Sequence, residues 1–495
     1  MADIKITKKN EVYLKVSADP SIAHELSDFF SFDVPGAKFS PLYKARQWDG
    51  KINLYSMFTK ELYVGLKEYV EKFAEDRDYT VDSSEYIAIA DPCTREEVEE
   101  FCKTLNIGSR NAPIQIRDYQ VDAIYQGIVS GRRLLLSPTG SGKSLIIYCI
   151  IRWHELKGRT QLILVPTTSL VEQLFTDFKD YSCLNNWDTS ENCHKIYSGH
   201  EKINTHNVII STWQSIYKLP KKFFSVFDCI YGDESHLFKA KSLTSIMNMC
   251  DSSPYRIGTT GTLDGLQTNK LVLEGIFGPV YKVTTTKKLM DDKQLADLSI
   301  FNIILEYPAD IRKALKDHDY QKEMDFIVQF EPRNKFIRNL ALAQKGNTLV
   351  LFQFVEKHGK KLYEMIKEKN PDRKIFFVHG GTDTEQRENI RELTSKENDA
   401  IIVASFGTFS TGINIPSLKN VIFASPSKSK IRNLQSIGRG LRTTSDKTTC
   451  NLYDIADNLT WKSKKNYTLL HMIERIKIYN DEQFKYKMIK VELQC

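Results

Sequence analysis

The stretch that decides the fold is RRLLLSPTGSGKS, residues 132–144. It begins with an apolar run typical of a short buried strand and continues into a loop of small residues before a helix-forming segment. The loop follows the phosphate-binding pattern G-x-x-x-x-G-K-[ST], except that Ser137 stands at the first glycine. Gly140 and Gly142 keep the backbone freedom with which N–H groups turn inward around a phosphate. The segment therefore predicts a nucleotide site at the carboxyl end of a strand in a parallel sheet.

Short apolar segments alternate with amphipathic helical stretches on both sides of this loop. In residues 113–295 the expected strands are RRLLLS, QLILVP, NVIIST and DCIYGDE. In residues 296–460 they are NTLVLFQF, KIFFVHG, AIIVASF and NVIFASP. Strands that alternate with helices indicate a parallel sheet covered on both faces. The sequence thus predicts the α/β fold class, with two parallel-sheet domains in tandem.

Shorter segments flank the two expected sheet domains. Residues 1–92 mix strand-like and helix-like runs and predict a small α+β domain, in which Asp49-Gly50 marks a β-hairpin turn. Thr94 with Glu97 forms a capping-box pattern that predicts a linker helix in residues 93–112. Residues 461–495 predict a short, basic, helical C-terminal segment with eight lysines and arginines against four acids.

Composition places the chain among ordinary globular proteins. It has 495 residues, a net charge of +7 and nine cysteines without a C-x-x-C pair. This cysteine usage predicts reduced thiols in an intracellular compartment and gives no indication of a zinc site or a disulfide framework. No apolar run is long enough to predict a signal peptide or a membrane span.

A second motif completes the predicted nucleotide site. FDCIYGDESH, residues 227–236, is an apolar strand that ends in Asp233 and Glu234. Lys143 can reach the β and γ phosphates, while the Ser144 hydroxyl and Asp233 can hold Mg²⁺. Glu234 can orient and deprotonate the attacking water. We therefore expect ATP hydrolysis with Mg²⁺, in a loop made of Pro138, Thr139, Gly140, Ser141, Gly142, Lys143 and Ser144.

The segment QSIGRGLR, residues 435–442, lies in the second expected sheet domain. Arg439 and Arg442 are three positions apart and would share one helical face. An arginine offered from a separate domain stabilises charge on a transferred phosphoryl group. We expect both arginines to act in catalysis, although a basic surface helix would show the same pattern.

Seven segments, in this order, resemble the motifs of the superfamily 2 helicases: RDYQ (117–120), SPTGSGKS (137–144), VPTTSLVEQ (165–173), DESH (233–236), TTGT (259–262), ASFGTFSTGINIP (404–416) and QSIGRGLR (435–442). DESH resembles the DExH group rather than the DEAD-box proteins. The whole chain, including ARQWDGKINLYSMF in the N-terminal domain, is similar to the recombination and branched-DNA helicases of T-even bacteriophages. The resemblance implies two RecA-like motor domains, 113–295 and 296–460.

The resemblance also implies roles for single residues. Gln120 would contact adenine, and Gly412 and Asn414 would face the nucleotide. Gln435 would line the catalytic cleft, with Arg442 preferred over Arg439 as the arginine finger. Coupling of hydrolysis to strand movement would fall to His236, Thr260 and Thr262, and contact with the nucleic-acid backbone to Thr167, Thr212, Ser405 and Thr411. Asn414 and TTGT depart from the acid and the Ser-Ala-Thr that are common in related families, which leaves their contacts open.

Basic and aromatic residues alternate in the N-terminal domain. Residues 38–60 contain five lysines and arginines against one acid, with five aromatic residues between them. This composition suits contact with DNA, although alternating aromatic residues are also typical of a core. We expect the DNA contacts to be Lys44, Arg46, Trp48 and Lys51.

These observations predict an ATP-dependent DNA helicase or translocase. The resemblance implies branched substrates, namely forks, Holliday junctions and R-loops with RNA–DNA hybrids, in recombination, repair and replication control. We expect a monomer in the cytoplasm of an infected bacterial host. An RNA-directed DExH helicase and a non-catalytic nucleic-acid clamp stay open as alternatives, and a translocating restriction subunit shares the same motifs.

Overall fold

The computed structural model describes residues 2–34, 36–87, 91–203, 205–238, 241–263, 266–412, 415, 417–427, 429–441 and 447–493. Within helices, it describes only the backbone at 241, 384, 385, 387, 388, 391, 395, 410–412, 430–432 and 439. The chain divides into two compact units, Met1–Ser137 with Gly142–Val283 and Pro138–Ser141 with Thr284–Cys495.

The first part of unit 1 is a small α+β domain. Its mixed sheet has the order β5-β2-β1-β6, and β3 and β4 form a separate antiparallel pair. Buried side chains of β1 and β2 alternate with exposed ones, which gives the sheet one core face. The elements are β1 (Ile4–Lys8), β2 (Tyr13–Ala18), α1 (Pro20–Phe29), β3 (Ser31–Asp33), α2 (Pro41–Lys44), β4 (Lys51–Asn53), β5 (Glu61–Tyr63), α3 (Lys67–Glu75) and β6 (Val81–Asp82).

The prediction of a hairpin turn at Asp49-Gly50 is wrong. The segment before this pair forms the helix α2, and β4 pairs with β3 from across the intervening chain. Gly50 still needs its glycine because its φ is +82°, and its carbonyl accepts the Val34 N–H at 2.8 Å. Gly50 is therefore a turn residue as expected, but the loop that it closes runs from β3 to β4.

A capped helix links this domain to the first large sheet. Helix α4 (Arg95–Thr104) begins with the expected capping box, in which Thr94 Oγ1 accepts the Glu97 N–H and Glu97 Oε2 accepts the Thr94 N–H. A short hairpin of β7 (Gly108–Ser109) and β8 (Ala112–Pro113) follows. The prediction of the capping box is confirmed.

The first large sheet has seven parallel strands in the order β11-β12-β10-β13-β14-β9-β15. All four strands expected from the apolar runs are present in it, and their central residues are buried, as a sheet covered on both faces requires. The elements are α5 (Asp118–Val129), β9 (Arg132–Leu136), α6 (Lys143–Leu156), β10 (Gln161–Val165), α7 (Thr168–Tyr181), α8 (Thr189–Asn192), β11 (Cys193–Ile196), β12 (Val208–Thr212), α9 (Trp213–Ile216), α10 (Lys221–Phe224), β13 (Cys229–Asp233), α11 (Lys241–Met249), β14 (Tyr255–Thr260), α12 (Gln267–Phe277) and β15 (Val280–Lys282).

The small domain packs on this sheet domain within unit 1. Tyr69 donates a hydrogen bond of 2.7 Å to Glu274 on α12, and Leu271 of the same helix joins the small domain's core. Arg132 at the start of β9 forms an ion pair of 3.0 Å with Glu11. Apolar burial and a shielded ion pair therefore hold the two domains together.

Unit 2 contains a second sheet of seven parallel strands, in the order β18-β19-β17-β20-β21-β16-β22. The four expected strands are again present, together with β16 and β21, which the apolar runs did not indicate. The elements are α13 (Thr286–Asp291), β16 (Asp297–Glu306), α14 (Ala309–Ala314), α15 (Tyr320–Gln329), α16 (Glu331–Ala343), β17 (Thr348–Phe352), α17 (Lys360–Lys369), β18 (Ile375–Val378), α18 (Thr384–Lys396), β19 (Ile401–Ser405), α19 (Phe406–Gly412), β20 (Asn420–Phe423), α20 (Lys430–Gly440), β21 (Thr449–Asn458), α21 (Tyr467–Asp481) and β22 (Tyr486–Glu492).

The C-terminal segment contains the expected helix, α21, but it is not helical throughout. Residues Tyr486–Glu492 form the edge strand β22, which pairs in parallel with β16 over seven residues from Ile300↔Tyr486 to Glu306↔Glu492. The backbone of this strand completes hydrogen bonds that β16 would otherwise leave to water. In addition, Arg475 is fully buried, so it does not belong to a basic surface.

The predicted α/β class with tandem parallel sheets after a small mixed domain is confirmed. Among the described residues, no helix is both long and apolar enough to cross a membrane.

Candidate nucleotide site and nucleic-acid contacts

The phosphate loop connects β9 to α6, as the sequence predicts. Gly140 and Gly142 each have a φ of +85°, a conformation that favours glycine. A Cβ atom at Gly142 would lie 2.3 Å from Gln120 Nε2, so a larger residue there would displace the Gln120 amide. Ser137 is fully buried and donates its N–H to the Thr260 carbonyl at 2.8 Å. Ser137 thus continues the hydrogen bonding between β9 and β14, and this position does not require the glycine of the usual pattern.

Lys143 is the first residue of α6, and its ammonium group folds back over the loop. Its Nζ atom donates a hydrogen bond of 3.1 Å to the Ser137 carbonyl. A helix N-terminus and a lysine at one loop together attract anions. Gln120, which is almost fully buried, accepts the Arg117 N–H at 3.0 Å through Oε1 while its amide nitrogen faces Gly142. The expected adenine reader thus lies beside the expected phosphate loop.

The second part of the site stands at the end of β13. Asp233 Oδ1 accepts hydrogen bonds from Thr259 Oγ1 at 2.8 Å and from the Glu234 N–H at 2.9 Å. Burial, followed by the charge of Glu234, raises the pKa of Asp233, while Lys143 acts in the opposite direction. A cation bound beside this buried carboxylate would stabilise its ionised form.

The donor chemistry of these residues fits Mg²⁺. Ser144 and Asp233 offer a hydroxyl and a carboxylate oxygen, the ligand types that this hard cation takes together with phosphate oxygens and water. Among the described residues there is no cluster of three or more His, Cys, Asp or Glu that could hold a metal without a nucleotide.

Glu234 begins a chain of polar contacts that leads away from the phosphate loop. Its φ of +50° turns the backbone sharply after β13. Glu234 Oε2 lies 3.3 Å from His236 Nδ1, and the same nitrogen lies 3.1 Å from Thr260 Oγ1. Thr260 then donates to the Thr262 carbonyl at 3.0 Å. The structure thus brings together the three residues expected to couple hydrolysis to movement.

Three of the four expected backbone-contacting hydroxyls are described, and each has a local partner. Thr167 caps α7 by accepting the Leu170 N–H at 3.3 Å. Thr212 Oγ1 lies 2.8 Å from the Ser215 hydroxyl. In unit 2, Ser405 Oγ lies 2.8 Å from the Thr408 hydroxyl. The side chain of Thr411 lies outside the described part of the chain.

Thr212 ends β12, and Thr167 lies two residues beyond the end of the neighbouring strand β10. Val165 of β10 is in register with Thr212 of β12, so both threonines stand at the same carboxyl edge. Contact with a nucleic-acid backbone at this edge stays a prediction.

The expected residues of unit 2 are only partly described. Gly412 ends α19, and Gln435 is half-buried on α20. Arg439 belongs to α20, but its side chain is outside the described part of the chain. Helix α20 ends at Gly440, and Arg442 and Asn414 lie outside the described residues. The arginine-finger assignment therefore stays a prediction.

The N-terminal contacts were expected on a hairpin but lie on a loop with one helical turn. Lys44 ends α2, Arg46 has a φ of +58°, and Trp48 Nε1 donates to the Lys51 carbonyl at 2.8 Å. All three cationic side chains are exposed, and Trp48 is half-buried.

The structure draws attention to three residues to which the sequence analysis assigned no role. Phe39 and Phe58, which belong to the interleaved aromatic residues of the N-terminal domain, are 78% and 97% exposed. Tyr181 OH lies 2.8 Å from Ser144 Oγ, a contact between residues 37 positions apart that no motif indicates.

Fold and site together define a nucleic-acid-dependent ATPase with two parallel-sheet motor domains. Family comparison agrees: residues 113–265 match "Type III restriction enzyme, res subunit", residues 332–444 match "Helicase conserved C-terminal domain", and residues 3–83 match "DNA helicase UvsW, N-terminal". The ATP-dependent DNA helicase uvsW of Enterobacteria phage T4 is 37% identical over 510 residues, which cover 99% of this chain and 100% of the phage protein. The chain belongs to the UvsW family of ATP-dependent DNA helicases.

The chain is also similar to a solved structure and to a second curated relative. The crystal structure of T4 UvsW matches with a TM-score of 0.52 and 34% identity, and the match covers 99% of this chain and all of that one. The DNA 3'-5' translocase XPB2 of Sulfurisphaera tokodaii is 23% identical over 429 residues, which cover 80% of this chain and 89% of the relative.

Proposed function

We propose that this helicase uses ATP with Mg²⁺ to unwind and branch-migrate branched DNA, namely forks, Holliday junctions and R-loops, in recombination, repair and replication control. The observation that carries the branched substrate is an exposed basic and aromatic loop in the N-terminal domain. We name residues 36–60 the basic arm. A linear strand needs only the motor domains, whereas a junction offers duplex arms and unstacked bases to a second surface.

Charge and exposure support contact between the basic arm and DNA. Its cationic side chains are all exposed, and Asp49 is its one acid. The small domain as a whole has more acidic than basic residues, but the acidic excess lies outside the basic arm. Exposed lysines and arginines bind phosphates without reading sequence. We assign this contact to Lys44, Arg46, Trp48 and Lys51.

Two phenylalanines give the basic arm a second mode of contact. Phe39 and Phe58 expose most of their rings between these cations. Aromatic rings stack on bases that have left the duplex, and each such contact is worth about 1–3 kcal/mol. A junction that passes over the basic arm would therefore be held by its phosphates and by its unstacked bases.

We assign the chemistry of hydrolysis to the site around the phosphate loop. Lys143 binds the β and γ phosphates, Glu234 orients and deprotonates the attacking water, and Ser144 and Asp233 would hold Mg²⁺. When bound, Mg²⁺ supplies charge neutralisation on the phosphates. Gln120 contacts the base, Gly412 and Asn414 face the nucleotide, and Arg439 and Arg442 serve as the candidate arginine fingers. His236, Thr260 and Thr262 transmit the result to the nucleic-acid contacts.

The test compares two activities of basic-arm variants. Lys44→Ala with Lys51→Ala, and separately Phe58→Ala, should lower the rate of fork unwinding about tenfold, the effect of one lost stacking or charged contact. ATP hydrolysis stimulated by single-stranded DNA should stay within about twofold, because the motor is intact. Lys335→Ala with Lys360→Ala removes two exposed lysines of unit 2 and serves as the matched control. Equal loss of both activities would contradict a role in junction binding.

One more variant separates the alternatives. Lys143→Ala should still bind forked DNA but lose ATP hydrolysis and unwinding. Full ATP turnover by this variant would contradict the assignment of Lys143 to the nucleotide site. Fork remodelling that is independent of Lys143 would favour a passive clamp. Competition by a matched RNA fork distinguishes an RNA-directed helicase, for which RNA would inhibit strongly. An RNA–DNA hybrid in an R-loop should be unwound like the DNA fork.

We also propose that one copy of the chain suffices. Analytical ultracentrifugation of the protein with a DNA fork should show one protein per junction, at the protein concentration that saturates unwinding. Because its relative is a bacteriophage protein, we expect it to act in the cytoplasm of an infected bacterial cell, which cell fractionation during infection tests.

A further inference from the structure

Tyr181 forms a contact that the function proposed above leaves without a role. It is the last residue of α7, and its hydroxyl lies 2.8 Å from Ser144 Oγ at the start of α6. The Tyr181 side chain is half-buried. A phenol has an ordinary pKa of about 10, so it is protonated at physiological pH and can both donate and accept a hydrogen bond.

The geometry of a serine ligand explains why such a partner matters. A neutral hydroxyl that binds a cation directs an oxygen lone pair at the metal, so its proton has to point to another acceptor. Without that acceptor, the Ser144 hydroxyl can occupy three staggered positions. The phenol oxygen of Tyr181 is an acceptor within hydrogen-bond distance of Ser144 Oγ.

The position of the phenol is itself fixed by packing between α6 and α7. The Tyr181 ring lies 5.6 Å from the Tyr148 ring of α6, and Tyr148 also contacts Phe178 of α7 at 5.6 Å and Trp187 at 5.5 Å. Aromatic contacts in a packed interior leave a side chain few alternative positions. Tyr181 therefore offers its hydroxyl at one place relative to Ser144.

We propose that Tyr181 is a positioning residue for Mg²⁺: it accepts the Ser144 proton and thereby turns the Ser144 lone pair towards the cation that accompanies ATP. The proposal rests on the assignment of Ser144 as a Mg²⁺ ligand in the proposed function. In this role Tyr181 acts through Ser144, so its effect should be confined to the affinity that depends on Mg²⁺.

The test measures ADP binding by the full chain with Mg²⁺ and with EDTA, for example by isothermal titration calorimetry. The ratio of the two affinities reports the metal contribution without any turnover. In Tyr181→Phe this ratio should fall about three- to tenfold, which is the size of one lost hydrogen bond, while the affinity in EDTA stays unchanged.

Tyr148→Phe is the matched control. It removes a phenol hydroxyl from the same ring cluster, but that hydroxyl accepts a 2.8 Å hydrogen bond from Arg152. Its affinity ratio should equal that of the unmodified chain. The melting temperatures of both variants without nucleotide show whether either substitution disturbs folding, and similar values are expected.

Ser144→Ala completes the comparison. It should lower the ratio, and adding Tyr181→Phe to it should lower the ratio no further, because the two side chains act as one unit. If Ser144→Ala lowers the ratio and Tyr181→Phe does not, the positioning role is overturned while the proposed function stands. Equal weakening of ADP binding with and without Mg²⁺ in Tyr181→Phe also overturns it, since that pattern marks a structural role. An unchanged ratio in Ser144→Ala overturns the metal assignment and this proposal with it.

Discussion

His236 Nδ1 lies 3.1 Å from Thr260 Oγ1, and Glu234 Oε2 lies 3.3 Å from the same nitrogen. The imidazole thus stands between the carboxylate assigned to water activation and the end of β14. A side chain that contacts both groups can respond when the surroundings of Glu234 change on hydrolysis. This position gives a physical basis to the coupling role that we propose for His236.

His236→Ala should uncouple hydrolysis from unwinding. We expect fork unwinding to fall more than tenfold, while hydrolysis of ATP stays within about fivefold because Lys143, Asp233 and Glu234 are untouched. The measurement is the number of ATP molecules consumed per base pair opened.

Thr260→Val tests the same contact from the other side, since it removes the hydroxyl that faces His236 Nδ1 and keeps the side-chain shape. Both variants and their combination should give the same ratio of ATP consumed to base pairs opened. Additive losses in the double variant would show that His236 and Thr260 act separately.

His154 predicts a pH dependence of stability. It is fully buried on α6, its Nδ1 lies 2.8 Å from Arg159 Nη1, and burial followed by the charge of Arg159 lowers its pKa to about 3. Between pH 6.5 and 3 the unfolded chain binds a proton at this site and the folded chain does not. Its contribution to stability is therefore complete above about pH 6.5 and is lost as the pH falls.

His154→Phe should remove this dependence. The phenyl ring keeps the packing against Tyr255, and Arg159 keeps its two contacts with Asp91. Between pH 6 and 5 the unmodified chain should lose up to about 1.4 kcal/mol more free energy of unfolding than the variant. Urea titrations at both pH values measure the difference, and parallel losses in the two proteins would contradict the prediction.

Much of the fold could be predicted because buried parallel strands are short apolar runs with helices between them. All eight strands expected from such runs are present. The strands β16 and β21 were missed because polar residues such as Asn302 and Asp454 interrupt their apolar pattern, and both residues are buried. The strand β22 was missed because its side chains are exposed or half-buried and show no apolar alternation, and its lysines suggested a solvated helix.

The sequence indicates candidate residues for the nucleotide site more directly than it indicates the surfaces around that site. Phosphate binding and water activation need fixed residue types at the ends of strands, so Lys143, Asp233 and Glu234 follow from their motifs. The contact between Tyr181 and Ser144 depends on how two helices pack, which no local pattern records. Likewise, exposure separates Phe58 from the buried Tyr55, although both belong to the same alternating segment.

A buried ion pair makes Arg475 essential for the stability of unit 2. Its Nε atom donates to Asp454 at 2.8 Å, its Nη1 atom donates to the Ser427 carbonyl at 3.0 Å, and neither charged side chain is exposed. Arg475→Met leaves the Asp454 charge buried without its cationic partner, while Tyr479 still donates a hydrogen bond of 2.8 Å to Asp454 Oδ2. We expect a loss of about 3–5 kcal/mol in the free energy of unfolding.

Glu331→Gln is the control for this measurement. Lys335 and Glu331 form a surface pair in which the side chains are 53% and 60% exposed, so its removal should cost less than about 1 kcal/mol. Chemical unfolding of both variants gives the comparison. Similar small losses in the two would show that α21 docks without the buried pair.

The edge strand β22 should be necessary for a stable second sheet. It contributes a parallel ladder to β16, and Leu493, whose N–H donates to the Glu306 carbonyl at 3.0 Å, closes part of the core. A chain that ends at residue 485 would expose the backbone of β16 and the apolar side chains beneath it. We expect a lower melting temperature for unit 2 and aggregation on heating, measured by light scattering.

The matched variant keeps the strand and removes three exposed lysines in or just before it, Lys485, Lys487 and Lys490. Because these side chains are exposed, their replacement by alanine should leave the melting temperature within about 2 °C. An equally large loss in both proteins would mean that charge rather than strand pairing stabilises this end of the chain. A stable truncated chain would mean that α21 alone covers the sheet.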